Sequence, residues 1–217
     1  MPAITQRRSL NELVTRYWTL MSRVYNFPLV QRHIYSPAQT DRQTDTIAQL
    51  CEHDARRVAD IACGTGILAS RIQAELHQAT VFGVDMSDGM LAKARARCAQ
   101  VQWRKAPAEQ LPFADSSLDA VVTTSAFHFF DQPAALAEFY RVLVPAGMAS
   151  VATICPKERR WTRNRTGERG PAHFPTATEM ERLFAGAGFE VVVHRPVARP
   201  VTPPLVSVDW ICVGLKT

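Results

Sequence analysis

The sequence predicts a doubly wound α/β domain built on a seven-stranded sheet, mostly parallel with an antiparallel last strand at one edge. Three observations carry that expectation. Apolar runs of strand length alternate with helical patterns, which implies parallel strands with helices on both faces. The stretch Asp60-Ile61-Ala62-Cys63-Gly64-Thr65-Gly66 joins one such run to a helix through glycines, which let the backbone come close to a ligand beside free helix N–H groups. Asp85 ends the next run, about 20 residues beyond the glycines, where a nucleotide-binding sheet keeps a carboxylate for a ribose.

The elements follow in order. Val58-Ala59-Asp60-Ile61-Ala62 reads as the first buried strand, and Ile67 to Leu76 as its helix. Thr80 to Asp85 is the second strand, followed by the helix formers Met90, Leu91, Ala94 and Ala96 between Gly89 and Ala99. Val101 to Arg104 is a short third strand, and the β-branched run Leu118 to Thr124 a fourth. Ala134 to Leu143 has the pattern of an amphipathic helix that stops near Pro145 and Gly147, and Met148 to Ile154 is a fifth strand. A helix over Thr176 to Gly188 starts on a threonine cap. Phe189 to His194 and Ser207 to Leu215 then form an antiparallel pair across a proline-rich connection.

Composition narrows the class. A chain of 217 residues is long enough for one well-cored domain and leaves little for a second. A net charge of +5 suits an anionic substrate but is also ordinary. Five scattered cysteines without a C-x-x-C pair disfavour a disulfide framework and a thiolate zinc site, and fit a reducing cytosol. Arg7 and Arg8 precede no apolar segment of signal-peptide length, and no run reaches the roughly 18 apolar residues of a membrane span. The expected location is cytoplasmic, with no stable membrane insertion.

The glycine turn by itself fits two ligands. Gly64-x-Gly66-x-x-Ala69 satisfies a dinucleotide fingerprint and equally serves tight strand–helix packing. Asp60 separates the possibilities, because a pyrophosphate gains nothing from an anion just before the glycines. S-adenosyl-L-methionine shares the ribose and adenine of a dinucleotide but carries an amino-acid tail, whose ammonium group a carboxylate at Asp60 can hold. Ala108-Glu109-Gln110-Leu111-Pro112-Phe113, after the third strand, offers a backbone turn and an apolar wall for a base.

These motifs resemble those of the class I S-adenosylmethionine-dependent methyltransferases, in the small-molecule branch that includes the ubiquinone and menaquinone C-methyltransferases. The resemblance runs from about Tyr17 to the C-terminus through Val58–Gly66, Gly83–Ser87, Ala108–Asp115, Leu118–Val121, Arg141–Gly147 and Ala187–Glu190. It implies a Rossmann-like sheet in which Asp60 and the backbone at Gly64 and Gly66 hold the methionine moiety. It further implies that Asp85 binds the ribose, Met86 packs on the adenine, Ala108 and Glu109 meet the adenine edge, and Ser125 faces the methionine end. Tyr25 resembles a tyrosine that closes over the cofactor in such enzymes. Two departures stand out: Pro107 replaces an Asp or Asn that meets the adenine amino group, and Ala146 replaces the first glycine of a Pro-Gly-Gly turn.

Methyl transfer from a sulfonium chiefly requires alignment and exclusion of water, with a base where the nucleophile must lose a proton. His128, just beyond the fourth strand, is the base candidate; the alternative is a histidine that packs at a loop entrance. The chain lacks the Asp/Asn-Pro-Pro-Tyr of amino-group methylases, a Pro-Cys pair and the acid cluster of magnesium-dependent catechol enzymes, so no metal is expected. A small acceptor methylated on oxygen or carbon is the simplest reading, with nitrogen open. Residues 1–45 read as a helical cap contributing to the acceptor pocket, and 46–217 as the cofactor-binding domain with a lid at 157–175. Tyr17, Trp18 and Phe127, with Arg160 and Trp161 of the arginine-rich lid, are the acceptor-site candidates. The expected partner is a small molecule and the expected state a monomer or homodimer, while RNA is disfavoured because the length leaves no separate module for it. A cofactor-binding subunit without transferase activity and a nicotinamide oxidoreductase are the alternatives.

Overall fold

The computed structural model describes residues 15–21, 36–155, 172–197 and 208–217. A helical segment at 15–21 precedes α1 (Ser36–Glu52), β1 (Arg57–Ile61), α2 (Ile67–Glu75), β2 (Thr80–Asp85), α3 (Asp88–Arg97) and β3 (Gln102–Lys105). Then follow β4 (Leu118–Thr124), a 3-10 turn at Phe127–Phe129, α4 (Gln132–Val142), β5 (Leu143–Cys155), α5 (Ala177–Gly186), β6 (Phe189–Pro196) and β7 (Val208–Lys216). The seven strands form one sheet in the order β3-β2-β1-β4-β5-β7-β6. β1 to β5 pair in parallel. β7 runs antiparallel to both β5 and β6.

The expected mixed sheet is therefore present, with an antiparallel pair at one edge. The last strand itself lies inside that pair, and β6 forms the outer edge. β6 carries a register shift between Val191 and Val193, which interrupts pairing on the strand that has no outer neighbour among the described residues.

The inner strands are apolar on both faces because both faces are covered. Ile47 and Leu50 of α1 and Leu68 and Ile72 of α2 pack with Val58, Val81, Val122 and Ala152 on one face. Leu136 and Phe139 of α4 and Met180 and Phe184 of α5 pack with Ile61, Val84, Val121 and Val151 on the other. Asp119 of β4 accepts the backbone N–H groups of Arg56 (3.0 Å) and Arg57 (2.8 Å), which pins the entry of β1.

α1 runs unbroken across the expected boundary at residue 45. Its sequence hides it: Arg42, Gln43, Thr46 and Gln49 are buried, so no apolar stripe marks the helix. Polar ties add to the packing of Ile47 and Leu50. Arg42 meets Asp209 of β7 at 2.6 Å with both side chains buried, and Arg195 of β6 makes a bidentate pair with Asp45 at 2.9 Å. Ala146, within β5, keeps the left-handed conformation (φ 62) that a glycine would take freely, so it is held there under strain.

Candidate active site

A crevice opens at the carboxyl ends of β1, β2 and β4, the position at which open α/β sheets bind ligands. The β1–α2 turn forms its floor. Gly64 (φ 56) and Gly66 (φ 77) both adopt left-handed backbone, but for different reasons. A Cβ on Gly64 would meet nothing within 4 Å, so this residue keeps the crevice open. A Cβ on Gly66 would lie 2.4 Å from the Trp103 indole, so this glycine serves packing. Ala62 (φ 55) and Ser125 (φ 63) are left-handed as well, and both line the crevice. Such strain in non-glycine residues concentrates at ligand sites.

The start of α2 has no side-chain cap from its own N-cap residue, Gly66. Asp60, 2% exposed, reaches up from β1 and accepts the Ala69 N–H at 3.2 Å. Burial, with a smaller contribution from Asp85, pushes its carboxyl up to about 8. A carboxylate held this way is short of a cation. Asp85 accepts Gly64 N–H at Oδ2 (2.9 Å) and Ser87 N–H at Oδ1 (2.8 Å). Its pKa is also raised, by burial, against the lowering effect of those bonds. Ser87 caps α3 by accepting Met90 N–H at 3.2 Å and also meets the Thr19 hydroxyl at 2.9 Å. The helical segment at 15–21 thereby sits on the β2–α3 corner, and the Thr15 hydroxyl reaches the Met86 sulfur at 4.0 Å.

On the β3 side, Ala106, Ala108 and Glu109 line the crevice. The Glu109 carboxylate accepts Asp131 N–H at 2.8 Å. The Leu111–Asp115 turn is clamped by α4: Glu138 accepts Leu111 N–H at 2.7 Å, and Arg141 binds both Glu138 and Asp115 at 2.6 Å. Arg104 stacks between the rings of Phe82 (4.8 Å) and Phe113 (4.7 Å).

The crevice therefore brings together Asp60, Gly64, Asp85, Met86, Ala108, Glu109 and Ser125, with Trp18 over them. The Ser125 hydroxyl is buried and has no partner among the described residues. Gly66 stands just behind the lining. Tyr17 is 55% exposed, with its ring edge against Trp18. Phe127 points the other way and is fully buried in the core with Leu136 and Phe139, which corrects its expected place in the acceptor site. The periodicity of a three-residue turn gave no sign of which phenylalanine faces in. His128 is not among the lining residues; it is buried and stacked on Phe174. Tyr25, Arg160, Trp161 and the lid residues 157–171 lie outside the described residues. Sequence reasoning missed Thr15, Gln43, Cys63, Phe129 and Phe130 as lining groups. Only the aromatic doublet Phe129-Phe130 after β4 carried any signal.

The lining holds three carboxylates (Asp60, Asp85 and Glu109) and, among the described residues, no lysine, arginine or histidine. That lining gives a pyrophosphate no cationic partner among the described residues and suits a ligand with an ammonium group, which the acidic groups can hold. The open space at Gly64 and the buried Ser125 hydroxyl leave room and a polar contact for a ligand.

Fold and crevice together point to one class: residues 58–147 match the family model described as a methyltransferase domain, and the fold is that of the S-adenosylmethionine-dependent methyltransferases. Individual relatives agree. It is 40% identical over 110 residues to a demethylmenaquinone methyltransferase of Thermus thermophilus, covering 48% of this chain and 50% of the relative. It is 29% identical over 177 residues to an O-methyltransferase of Aspergillus sclerotiorum, covering 76% of this chain and 66% of the relative. Among solved structures, a SAM-dependent methyltransferase from Thermotoga maritima superposes with a TM-score of 0.66 at 26% identity, covering 92% of this chain and all (100%) of the other. The chain spans about half the length of the first two curated relatives it matches, 50% and 44%. Among the described residues no helix is long and apolar enough to cross a membrane.

Proposed function

We propose that the chain transfers a methyl group from S-adenosylmethionine to an oxygen or carbon nucleophile, or a nitrogen, of a small aromatic or amphiphilic metabolite. The crevice with three carboxylates and no described cation carries this reading. S-adenosylmethionine supplies, when bound, a methyl group already activated by its sulfonium. The chain's own groups have simple tasks. Asp60 takes the ammonium group, which supplies the charge its buried carboxylate lacks. Asp85, oriented by two backbone N–H groups, keeps lone pairs on both oxygens for the ribose hydroxyls. Met86 lies along the base, the Ala108–Glu109 backbone meets its edge, and Ser125 turns its hydroxyl to the amino-acid end.

Trp18, Phe129 and Phe130 supply the apolar wall that excludes water and aligns an acceptor. Trp18 meets Phe129 edge-on at 6.0 Å. The relative named for demethylmenaquinone and the relative named as an O-methyltransferase support a small organic acceptor. Titration calorimetry with S-adenosylhomocysteine and with NADH tests the cofactor; tight binding of NADH alone overturns the proposal. Incubation of small-molecule extracts with the protein and methyl-labelled S-adenosylmethionine, followed by mass spectrometry, tests the acceptor. A labelled small product is expected, and label found only in macromolecules overturns that half.

A further inference from the structure

The turn after β4 has two working faces. On one, Phe129 and Phe130 line the crevice, and the edge of Phe129 meets Trp18. The other face holds residues 172–174. His173 N–H donates to the His128 carbonyl at 2.7 Å, and the Gln132 amide donates to the His173 carbonyl at 2.8 Å and to the Phe127 carbonyl at 3.3 Å. The Phe174 ring lies nearly flat on the His128 ring, with centroids 4.4 Å apart and planes 17° from parallel. Beyond this contact the chain enters α5 through a capping box between Thr176 and Glu179, and Glu179 also meets His173 at 2.8 Å. The strap at 172–174 is thus anchored at its far end and rests on His128.

A histidine that carries protons needs a free nitrogen facing substrate and an orienting partner on the other. His128 shows neither among the described residues: it is 7% exposed, does not line the crevice, and its Nδ1 is buried without a partner. Burial and the nearby Arg42 guanidinium lower its pKa to about 4, so the ring is neutral near pH 7. Gln132, 4% exposed, spends its amide nitrogen on the two contacts above. Asp131, between turn and helix, bonds to Glu109 on the crevice side, so a shift of the turn is felt there.

We propose that His128, Gln132 and Phe174 form a clasp that positions the Phe129–Phe130 wall of the crevice, with the His128 ring acting as a stacking surface and a positioning residue. The clasp rests on reading the crevice as the methyl-transfer site. Backbone hydrogen exchange over 127–132 and calorimetry with S-adenosylhomocysteine, applied to His128→Ala, His128→Phe and Phe174→Ala, test it. In His128→Ala and Phe174→Ala, the Phe129, Phe130 and Asp131 amides are expected to exchange at least about tenfold faster, with S-adenosylhomocysteine bound roughly three- to tenfold more weakly. His128→Phe keeps a flat ring and is expected within about twofold of the parent on both measures. Unchanged exchange in Phe174→Ala, or a His128→Phe variant as impaired as His128→Ala, overturns the clasp. If the parent binds no S-adenosylhomocysteine yet the exchange pattern holds, the clasp stands and the methyl-transfer reading falls.

Discussion

The Trp103 indole lies so close to Gly66 that a Cβ there would sit 2.4 Å from the ring, and it presses equally on Gly83, where the distance would be 2.3 Å. Two glycines of the nucleotide-binding motifs are therefore occupied by one aromatic side chain from β3. Gly64, two residues earlier, faces open space. Gly66→Ala is expected to lose about 2–4 kcal/mol of stability through overpacking and left-handed strain, read by denaturant unfolding. Gly64→Ala, strained but not blocked, is expected to fold and to lose cofactor affinity, since its methyl group enters the crevice. A Gly64→Ala variant that binds S-adenosylhomocysteine like the parent removes Gly64 from the ligand path.

Asp60 gives the crevice a pH dependence whose sign follows from its raised pKa. Its folded pKa, about 8, lies above the ordinary 3.8, so the folded state holds a proton that the unfolded chain has released. Its contribution to stability is full below about pH 4 and is lost as pH rises toward about 8. Asp60→Asn is accordingly expected to lose less stability than the parent between pH 6 and pH 9 in thermal melts, while binding S-adenosylhomocysteine more weakly. A ligand ammonium stabilises the carboxylate, so cofactor binding near pH 7 is expected to release protons. Calorimetry in buffers of different ionisation enthalpy measures that release.

Asp85 is held by Gly64 N–H and Ser87 N–H, which join the β1–α2 turn to the β2–α3 corner. Asp85→Ala is expected to weaken S-adenosylhomocysteine binding at least tenfold, or about 1.4 kcal/mol. Unchanged affinity in calorimetry would put the ribose elsewhere.

Glu138 receives Leu111 N–H and two bonds from Arg141, and these hold its carboxyl below the ordinary 4.5. A depressed carboxyl stabilises the fold above its unfolded pKa and loses that effect as pH falls through the folded one. Below about pH 4.5 the parent is expected to lose stability faster than Glu138→Gln, as followed by acid titration of the melting temperature. Equal slopes would mean that the clamp on the Leu111–Asp115 turn is inert.

Ala146 holds φ 62 where glycine meets no Cβ conflict. Ala146→Gly is expected to stabilise the protein by roughly 0.5–1 kcal/mol, since relief of the left-handed strain exceeds the added chain entropy. A lower midpoint in denaturant would contradict this.

The sequence revealed elements whose chemistry repeats along the chain. The apolar runs of β1, β2 and β4 and the glycine turn with its two aspartates were legible, because strand burial and ligand approach leave marks at fixed spacing. α1 was not, since its buried face is Arg42, Gln43, Thr46 and Gln49 and its apolar pattern is correspondingly weak. The insertion of β7 between β5 and β6 was also hidden, because pairing order depends on contacts between residues far apart in the chain. The same holds for the turn after β4. Local sequence shows a cluster of aromatics around His128, but only packing decides that Phe129 and Phe130 face the crevice while Phe127 enters the core.

By itself, then, the sequence determined the alternation of strands and helices, the β1–α2 turn and the carboxylates at Asp60 and Asp85, because each is a local consequence of residue type and spacing. The tertiary structure alone decided which glycine yields to Trp103 and which stays open, and whether His128 meets the crevice or a strap. Those outcomes depend on which distant side chain arrives at a given position, and a one-dimensional pattern carries no record of that.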